Sequence, residues 1–486
     1  MLELPQPAGL LPLLLMNDDL APYWYSRFLF ERGLALVYLI GFIAIVNQFI
    51  PLLGERGLLP VPRFVEGVPF RLSPSLFYLR ATDGVFRAAG WLGVLLSLVA
   101  LVGLVHHRSG VAAGVVWALL WLLYLSFVNV GQTFYGFGWE SLLLEAGFFT
   151  IFAGAGTVAP ATLLNWIYRW TLFRLMFGAG LIKLRGDACW RNLTCLDYFY
   201  ETQPIPNALS WYFHWFPRPL LHGGVVFNHL VELIVPFGYF LPQPFAGIAG
   251  LITIVFQLTL IIGGNLSWLN WLTIVLAFTT LDNRFLSWLP VSIPTLSPMP
   301  SSQRITMYAL AVIVAALSIA PTVNMLSSNQ VMNTSFNTVH LVNTYGAFGS
   351  VTRERNEIAI EGTDAATVDE HTVWREYQFK GKPGDPARRP AQIAPYHLRL
   401  DWLMWFAAMG SAQDEPWFSQ LIVKLLQGQK DVVGLFAANP FPDRPPRWIR
   451  ARMYRYTFTT RAERKATGRW WNREFVGDYF PAVSLR

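Results

Sequence analysis

The chain has 486 residues, 53% of them hydrophobic and only 14% charged, with a formal net charge of +7. Ordinary soluble domains carry roughly 25% charged residues, so a purely soluble globular protein is excluded. A cationic excess on so apolar a chain points to lipid surfaces before nucleic acid.

The charges are unevenly placed: residues 1–322 hold 16 Lys/Arg and 14 Asp/Glu, and residues 323–486 hold 21 and 16. That division describes a polytopic α-helical membrane protein over 1–322, followed by a soluble C-terminal domain over 323–486. The leading apolar stretch AGLLPLLLM (8–16) has no basic region before it and follows Glu3, so it does not read as a cleavable signal. Apolar runs at 33–53, 89–105, 111–130, 139–159, 162–184, 223–243, 246–263, 265–281 and 305–322 approach or exceed the roughly 18–20 residues a membrane crossing needs. About nine spans follow, many flanked by Trp and Tyr as in an interfacial belt.

Between the first two spans lies a polar connection (54–88) with Pro60, Pro62, Pro74 and several arginines. His106 and His107 close the second span and read as interfacial. A later connection, 185–222, is long and rich in aromatics, and Gly263–Gly264 marks a tight turn between spans. Nine spans place 54–88, 185–222 and the C-terminal domain on one side; the Lys/Arg balance is too even to say which side that is. Beyond Pro321 the pattern changes. NEIAIEG (356–362) and TVWREYQFK (372–380) alternate as paired strands, LDWLMWFAAMG (400–410) reads as a buried helix, PWFSQLIVKLLQG (416–428) as an amphipathic one, and YRYTFTT (454–460) as a late strand. The C-terminal part is therefore expected to be α+β.

Ionisable residues inside apolar spans are costly and usually face a bundle interior. Here they group as Glu140 and Glu145 in the fourth span, Arg169, Arg174 and Lys183 in the fifth, and His229 and Glu232 in the sixth. Arg174 lies nearest mid-helix, with Glu145 and Glu232 as opposite charges within reach; His229 and Glu232, three apart, share a helix face. Structural ion pairs stitching three helices are one reading; a proton relay, cofactor pocket or ion pathway is the other. The two cysteines, Cys189 and Cys195, sit six apart in the 185–222 connection. They are either unrelated small residues or a local disulfide, which requires an oxidising compartment. No metal site is expected, since two thiols without a nearby His pair do not make four ligands. No nucleophile elbow, Walker loop or zinc-protease helix is present, and no cofactor is expected.

The run LFRLMFGAGLIKLRGDACWRNLTCLDYFYETQPIPNALSWYFHWFP (172–217), with FGWESLLLEAGF (137–148) before it and NHLVELIVPF (228–237) after it, closely resembles the lipase maturation factor family. NTYGAFGSVTRERNEIAIEGT (343–363), VWREYQFKGKPGD (373–385) and PYHLRLDWLMWFAAM (395–409) resemble that family's C-terminal domain. Phe199 stands where the family pattern commonly has His.

The resemblance implies a membrane-embedded, non-enzymatic factor that helps secreted clients, lipases among them, to fold and assemble. Its partners would be membrane lipids and those clients, not nucleic acid. The implied setting is a bacterial inner membrane by preference, or the endoplasmic reticulum membrane in a eukaryote. Trp190, Tyr198, Tyr200, Trp211, Tyr212 and Trp215 would supply a client surface or line the membrane interface. GAGLIKLRGDACW (178–190) also resembles, more distantly, the lysine-bearing stretch of vitamin K-dependent γ-glutamyl carboxylase. That likeness implies a membrane enzyme acting on lipid or peptide with Lys183 as catalytic base, against the plainer reading of Lys183 as a snorkelling anchor.

Overall fold

The computed structural model describes residues 22–104 and 109–485; the 8–16 stretch and His106–His107 lie outside the described residues. Among the described residues, nine helical segments correspond to the nine expected spans. They are α1 (Trp24–Leu53), α2 (Asp83–Val102), α3 (Gly110–Val130), α4 (Gly138–Thr150), α5 (Thr162–Arg185), α6 (Arg218–Gly238), α7 (Phe245–Gly263), α8 (Leu269–Thr280) and α9 (Ser301–Leu326).

Six of these, α1, α2, α3, α6, α7 and α9, are long and apolar enough to cross a membrane. Helix α5 has the length, with 24 residues, but carries Arg169, Arg174, Lys183 and Arg185. Helices α4 and α8 correct the expectation of nine full spans. The 13 residues of α4 rise only about 20 Å at 1.5 Å per residue, short of a ~30 Å hydrocarbon core. Both are tolerated because they are central: α4 packs against α1, α3 and α8, and α8 against α1, α5 and α7. Irregular backbone at membrane depth is stable when protein surrounds it.

Successive helices alternate between two ends of the bundle. At one end the 22–23, 151–161 and 281–300 segments meet, through Asn283 N–H to the Pro22 carbonyl (2.7 Å), Ala159 N–H to Ser297 (3.0 Å) and the Trp24 indole to Gly156 (3.0 Å). At the other end, the domain end, the 54–82 and 186–217 connections gather beneath the C-terminal domain, as the count of nine spans requires. Gln132 Nε2 bonds the Leu59 carbonyl there (3.0 Å), Asn265 Nδ2 bonds Ala391 (2.9 Å), and Gln203 Nε2 bonds Gly263 (2.9 Å). Gly264 follows α7 in that corner, and a Cβ on it would collide with the Gln203 amide.

Helix α9 runs to Leu326, past the expected boundary at 322, and an irregular stretch then returns into the bundle before the sheet begins. The sheet has the order β2-β1-β3-β4, all antiparallel, from β1 (Arg355–Thr363), β2 (Arg375–Glu376), β3 (Trp448–Phe458) and β4 (Trp471–Val483). Register pairs Ile358 with Met453, and Phe458 with Trp471. Helix α10 (Arg399–Ala407) packs on β1, and α11 (Pro416–Leu426) on β3. The buried positions of α11, Trp417, Phe418, Leu421, Ile422 and Leu425, follow the 3–4 spacing of an amphipathic helix. The first strand and both helices stand where the sequence places them; of the expected 372–380 strand only Arg375–Glu376 pairs with β1, the late strand starts earlier, at Trp448, and β4 is an addition.

Candidate functional site

Bringing charged side chains into an apolar bundle is tolerated only with partners that satisfy every donor and acceptor. Glu145, on α4, is fully buried and receives a dense set of donors. Arg174 of α5 forms an ion pair with it, and Thr171 Oγ1 donates at 3.0 Å. The Asn343 backbone N–H (2.9 Å), Asn343 Nδ2 (2.9 Å) and Tyr345 Oη (2.8 Å) complete the set. Arg174 also donates to the Asn343 carbonyl at 2.5 Å. Because Arg174 lies midway along α5, the stretch leading into the C-terminal domain reaches the middle of the bundle.

A second pair sits toward the domain end. Lys183 Nζ meets Glu232 Oε1 at 2.5 Å and Asn228 Oδ1 at 3.0 Å, under the Trp190 ring at 5.0 Å. Asn228 Nδ2 returns a bond to Glu232 Oε2 at 3.0 Å. Glu232 lies in a π-helical turn, Leu230–Ile234. Pro236 explains the turn: it has no N–H for the Glu232 carbonyl four residues earlier, so the helix widens there. Glu232 is thus the partner of Lys183, which corrects the pairing with Arg174 open from sequence. His229 Nε2 lies 3.0 Å from the Trp190 carbonyl, so it and Glu232 both face the end of α5.

The remaining two charges have other roles. Among the described residues Arg169 forms no ion pair; it donates to the carbonyls of Thr279 (3.0 Å) and Tyr239 (3.1 Å), capping the ends of α8 and α6. Lone helix C-terminal carbonyls attract a cation in this way. Glu140 joins the bundle to the C-terminal domain: Arg399 Nη1 of α10 lies 2.8 Å away, and Tyr124 Oη of α3 donates to it at 2.5 Å. His397 Nδ1, 4.0 Å from Glu140, adds no ion pair, since burial and the Arg399 charge hold His397 well below its ordinary range. Its ring is enclosed edge-on by Phe137, Trp139, Trp268 and Trp402.

The 186–217 connection is anchored at several points. Cys189 and Cys195 form a disulfide, both buried, with Cα atoms 4.7 Å apart. Asp187 caps the turn that starts it, through Cys189 N–H (3.0 Å), and pairs with Arg353 (2.7 Å). That hydrogen bond with Arg353, aided by the Cys189 and Val351 amides, holds Asp187 down to about 2. Arg355 of β1 donates to three carbonyls of the ETQP stretch: Glu201 (3.0 Å), Gln203 (2.5 Å) and Pro204 (2.9 Å).

The aromatics of this connection divide by exposure. Trp190 (3% exposed) bonds the Phe348 carbonyl at 2.8 Å, and Trp211 (4%) bonds Thr459 at 2.8 Å. As surface groups these two are corrected: they are welds between the connection and the C-terminal domain. Trp215 also bonds Thr459, at 3.1 Å, and remains partly open. Tyr198 lies under Arg353 (4.7 Å), Tyr200 packs on Phe213 (5.3 Å), and Tyr212 is 41% exposed beside Arg464. Phe199 is buried against Phe348 (ring centroids 5.0 Å), an apolar setting.

The C-terminal partners of the intramembrane charges, Asn343, Tyr345 and Arg399, and the Arg355 that grips the 201–204 stretch, are not identified by charge or spacing. They do lie inside NTYGAFGS, PYHLRLD and TRERNEI, stretches that carry the resemblance.

The family model described as the lipase maturation factor transmembrane domain matches residues 25–288, and the lipase maturation factor C-terminal domain matches 341–481. The chain belongs to the lipase maturation factor family. It is 42% identical to lipase maturation factor 1 of Mus musculus over 505 residues, covering 95% of this chain and 88% of the relative. Identity to lipase maturation factor 1 of Homo sapiens is 42% with the same coverages, and to lipase maturation factor 2 of Xenopus laevis 31%, covering 95% and 82%. No solved structure matches the chain. As a lipase maturation factor family member it is a multi-pass membrane maturation factor, and nothing in these likenesses supports the carboxylase reading. Lys183 is buried among Glu232, Asn228 and Trp190.

Proposed function

We propose that this membrane maturation factor assists the folding and assembly of secreted lipases at its domain end. The observation that carries the reading is the fusion of the 186–217 connection with the C-terminal domain into one body, through Arg355, Trp211, Trp215 and Arg353, on the end that holds the disulfide. A disulfide persists where the compartment is oxidising, which is where secreted clients fold. The domain end therefore faces the periplasm in a bacterial inner membrane, or the lumen in an endoplasmic reticulum membrane. The client face includes Tyr212, with Phe216 and Leu209 exposed on the same connection. The buried polar cluster holds the bundle in register beneath it.

The test is secretion of active lipase from cells that lack their own maturation factor and express this chain. Wild type should raise active lipase, and Tyr212→Ala with Phe216→Ala should reduce that gain severalfold at an unchanged level of inserted protein. Stable insertion with no effect on lipase activity would sink the proposal.

A further inference from the structure

Between α1 and α2 the chain runs along the outside of the bundle at the domain end. The ends of this excursion are tied together: Glu55 N–H donates to Asp83 Oδ1 (2.8 Å), and Asp83 N–H donates to Glu55 Oε2 (3.0 Å). Within it lie a short helix, Val61–Gly67, and two 3₁₀ turns, Phe70–Leu72 and Leu76–Tyr78.

Its depth is set by hydrogen bonds to α3. Ser75 Oγ donates to the Ser126 carbonyl (2.9 Å), and Leu76 N–H donates to Ser126 Oγ (3.1 Å). Ser73 Oγ donates to the Asn129 carbonyl (2.6 Å), and Asn129 Nδ2 donates to Pro74 (2.8 Å). Ser126 lies four residues before the end of α3, about 6 Å along the helix from its terminus. The 73–77 stretch is therefore level with the last turn of a membrane-crossing helix. Phe77 is driven inward, its ring 4.9 Å from Phe86 and 4.8 Å from Phe127.

The neighbours of Phe77 point the other way. Phe70 is 57% exposed, Leu72 62% and Leu79 86%. Leu79 lies four residues before α2, a helix apolar enough to cross a membrane whose Trp91, Leu92, Leu95 and Leu98 are also exposed. Arg71 lies between Phe70 and Leu72, Arg80 follows Leu79, and Arg87 is on α2; all three are exposed, and none forms an ion pair among the described residues. Exposed apolar side chains next to the level of the last helical turn, each adjacent in sequence to an arginine without an ion pair among the described residues, match the boundary between acyl chains and headgroups.

We propose that residues 69–80 form a wedge in the leaflet at the domain end. Phe70, Leu72 and Leu79 insert among the acyl chains, and Arg71 and Arg80 bind the phosphates of anionic phospholipids. The short step from Leu79 to α2, a helix apolar enough to cross a membrane, favours the bilayer over a client protein as the occupant.

The test uses the full chain in nanodiscs of phosphatidylcholine with and without phosphatidylglycerol. Leu79→Cys and Val373→Cys, the latter an exposed site on the C-terminal domain (79%), each carry an environment-sensitive fluorophore; the native cysteines are joined and do not label. The Leu79 label should be quenched severalfold more by nitroxides near the headgroup than the Val373 label, and severalfold less by aqueous iodide. Its emission should shift further to the blue with phosphatidylglycerol, and Arg71→Gln with Arg80→Gln should abolish that added shift while the chain stays inserted. Equal iodide quenching at both sites would overturn the wedge. So would a Leu79 label open to water in the bilayer and shielded only on addition of a lipase client. A lipid preference that survives the arginine substitutions would overturn the headgroup assignment.

Discussion

Glu145 is the most heavily bonded charge in the bundle, and its donors come from three places: α4 holds it, α5 supplies Arg174 and Thr171, and the stretch before β1 supplies Asn343 and Tyr345. Removing only the carboxylate leaves a guanidinium buried without its counter-charge, which costs roughly 3–5 kcal/mol. Glu145→Ala is therefore expected to lower thermal stability in detergent sharply, and Glu145→Ala with Arg174→Ala to cost less than the sum of the two single changes. Additive losses would show that the pair is not coupled. A different residue sets a pH response at the domain end. Burial holds His214 down to about 4, against the opposing pull of Asp197. The unfolded chain then binds more protons than the folded one between about pH 6.5 and 4, so this stability is complete above that window and is lost as pH falls through it. Glu201, 3.8 Å from His214, is pushed above its ordinary range by burial, and its contribution has the opposite sign, present in acid and lost as pH rises. The His214 effect is on the order of 3 kcal/mol. His214→Gln should flatten the loss of stability between pH 6.5 and 4 by about that much; an unchanged slope would rule out His214 as its source.

At the scale of elements, the joint between bundle and sheet depends on β1. Arg355 satisfies three carbonyls of the 201–204 stretch at once while its own charge meets Glu357 at 2.5 Å. A lysine carries the charge but lacks the planar fork that spans several acceptors. Arg355→Lys should therefore raise hydrogen exchange severalfold across 199–204 while the amides of α5 stay protected; uniform protection in both places would refute the clamp. The same joint shows what could be read from the chain. Helices α1, α2 and α3 were legible because lipid demands long apolar runs, and α11 because one buried face imposes a period; β1 was legible from the apolar–polar alternation of NEIAIEG, although the fold buries both of its faces. Strand β4 was not, because it is an edge strand with only Trp471 and Trp470 firmly buried at its start, so its residues follow no alternation. The intramembrane charges were legible as a group, and their partners were not: Lys183 reaches Glu232 across a π-helical turn, and Glu145 is met by residues about 200 positions away. Such contacts belong to tertiary packing, and only the long irregular motifs shared with the family pointed to them.

At the scale of the whole molecule, the nine bundle helices among the described residues, alternating between two ends, put the C-terminal domain, the 54–82 excursion and the disulfide together, opposite the 281–300 segment. The disulfide closes a small loop and, by constraining the unfolded chain, is expected to contribute about 2 kcal/mol. Cys189→Ser with Cys195→Ser should lower stability by about that amount and loosen the start of the 186–217 connection. Under the proposed function its oxidation is tied to an orientation, because the reducing side of a cell would keep the thiols free. The prediction at this scale is therefore directional. Trp288→Cys, at an exposed site (73%) on the end away from the domain, should stay hidden from a membrane-impermeant thiol reagent applied at the oxidising side. Val373→Cys should react with it, and both should react once the membrane is opened. If Trp288→Cys reacts first, the domain end faces the cytosol, and neither the disulfide nor a role with secreted clients on that face would stand.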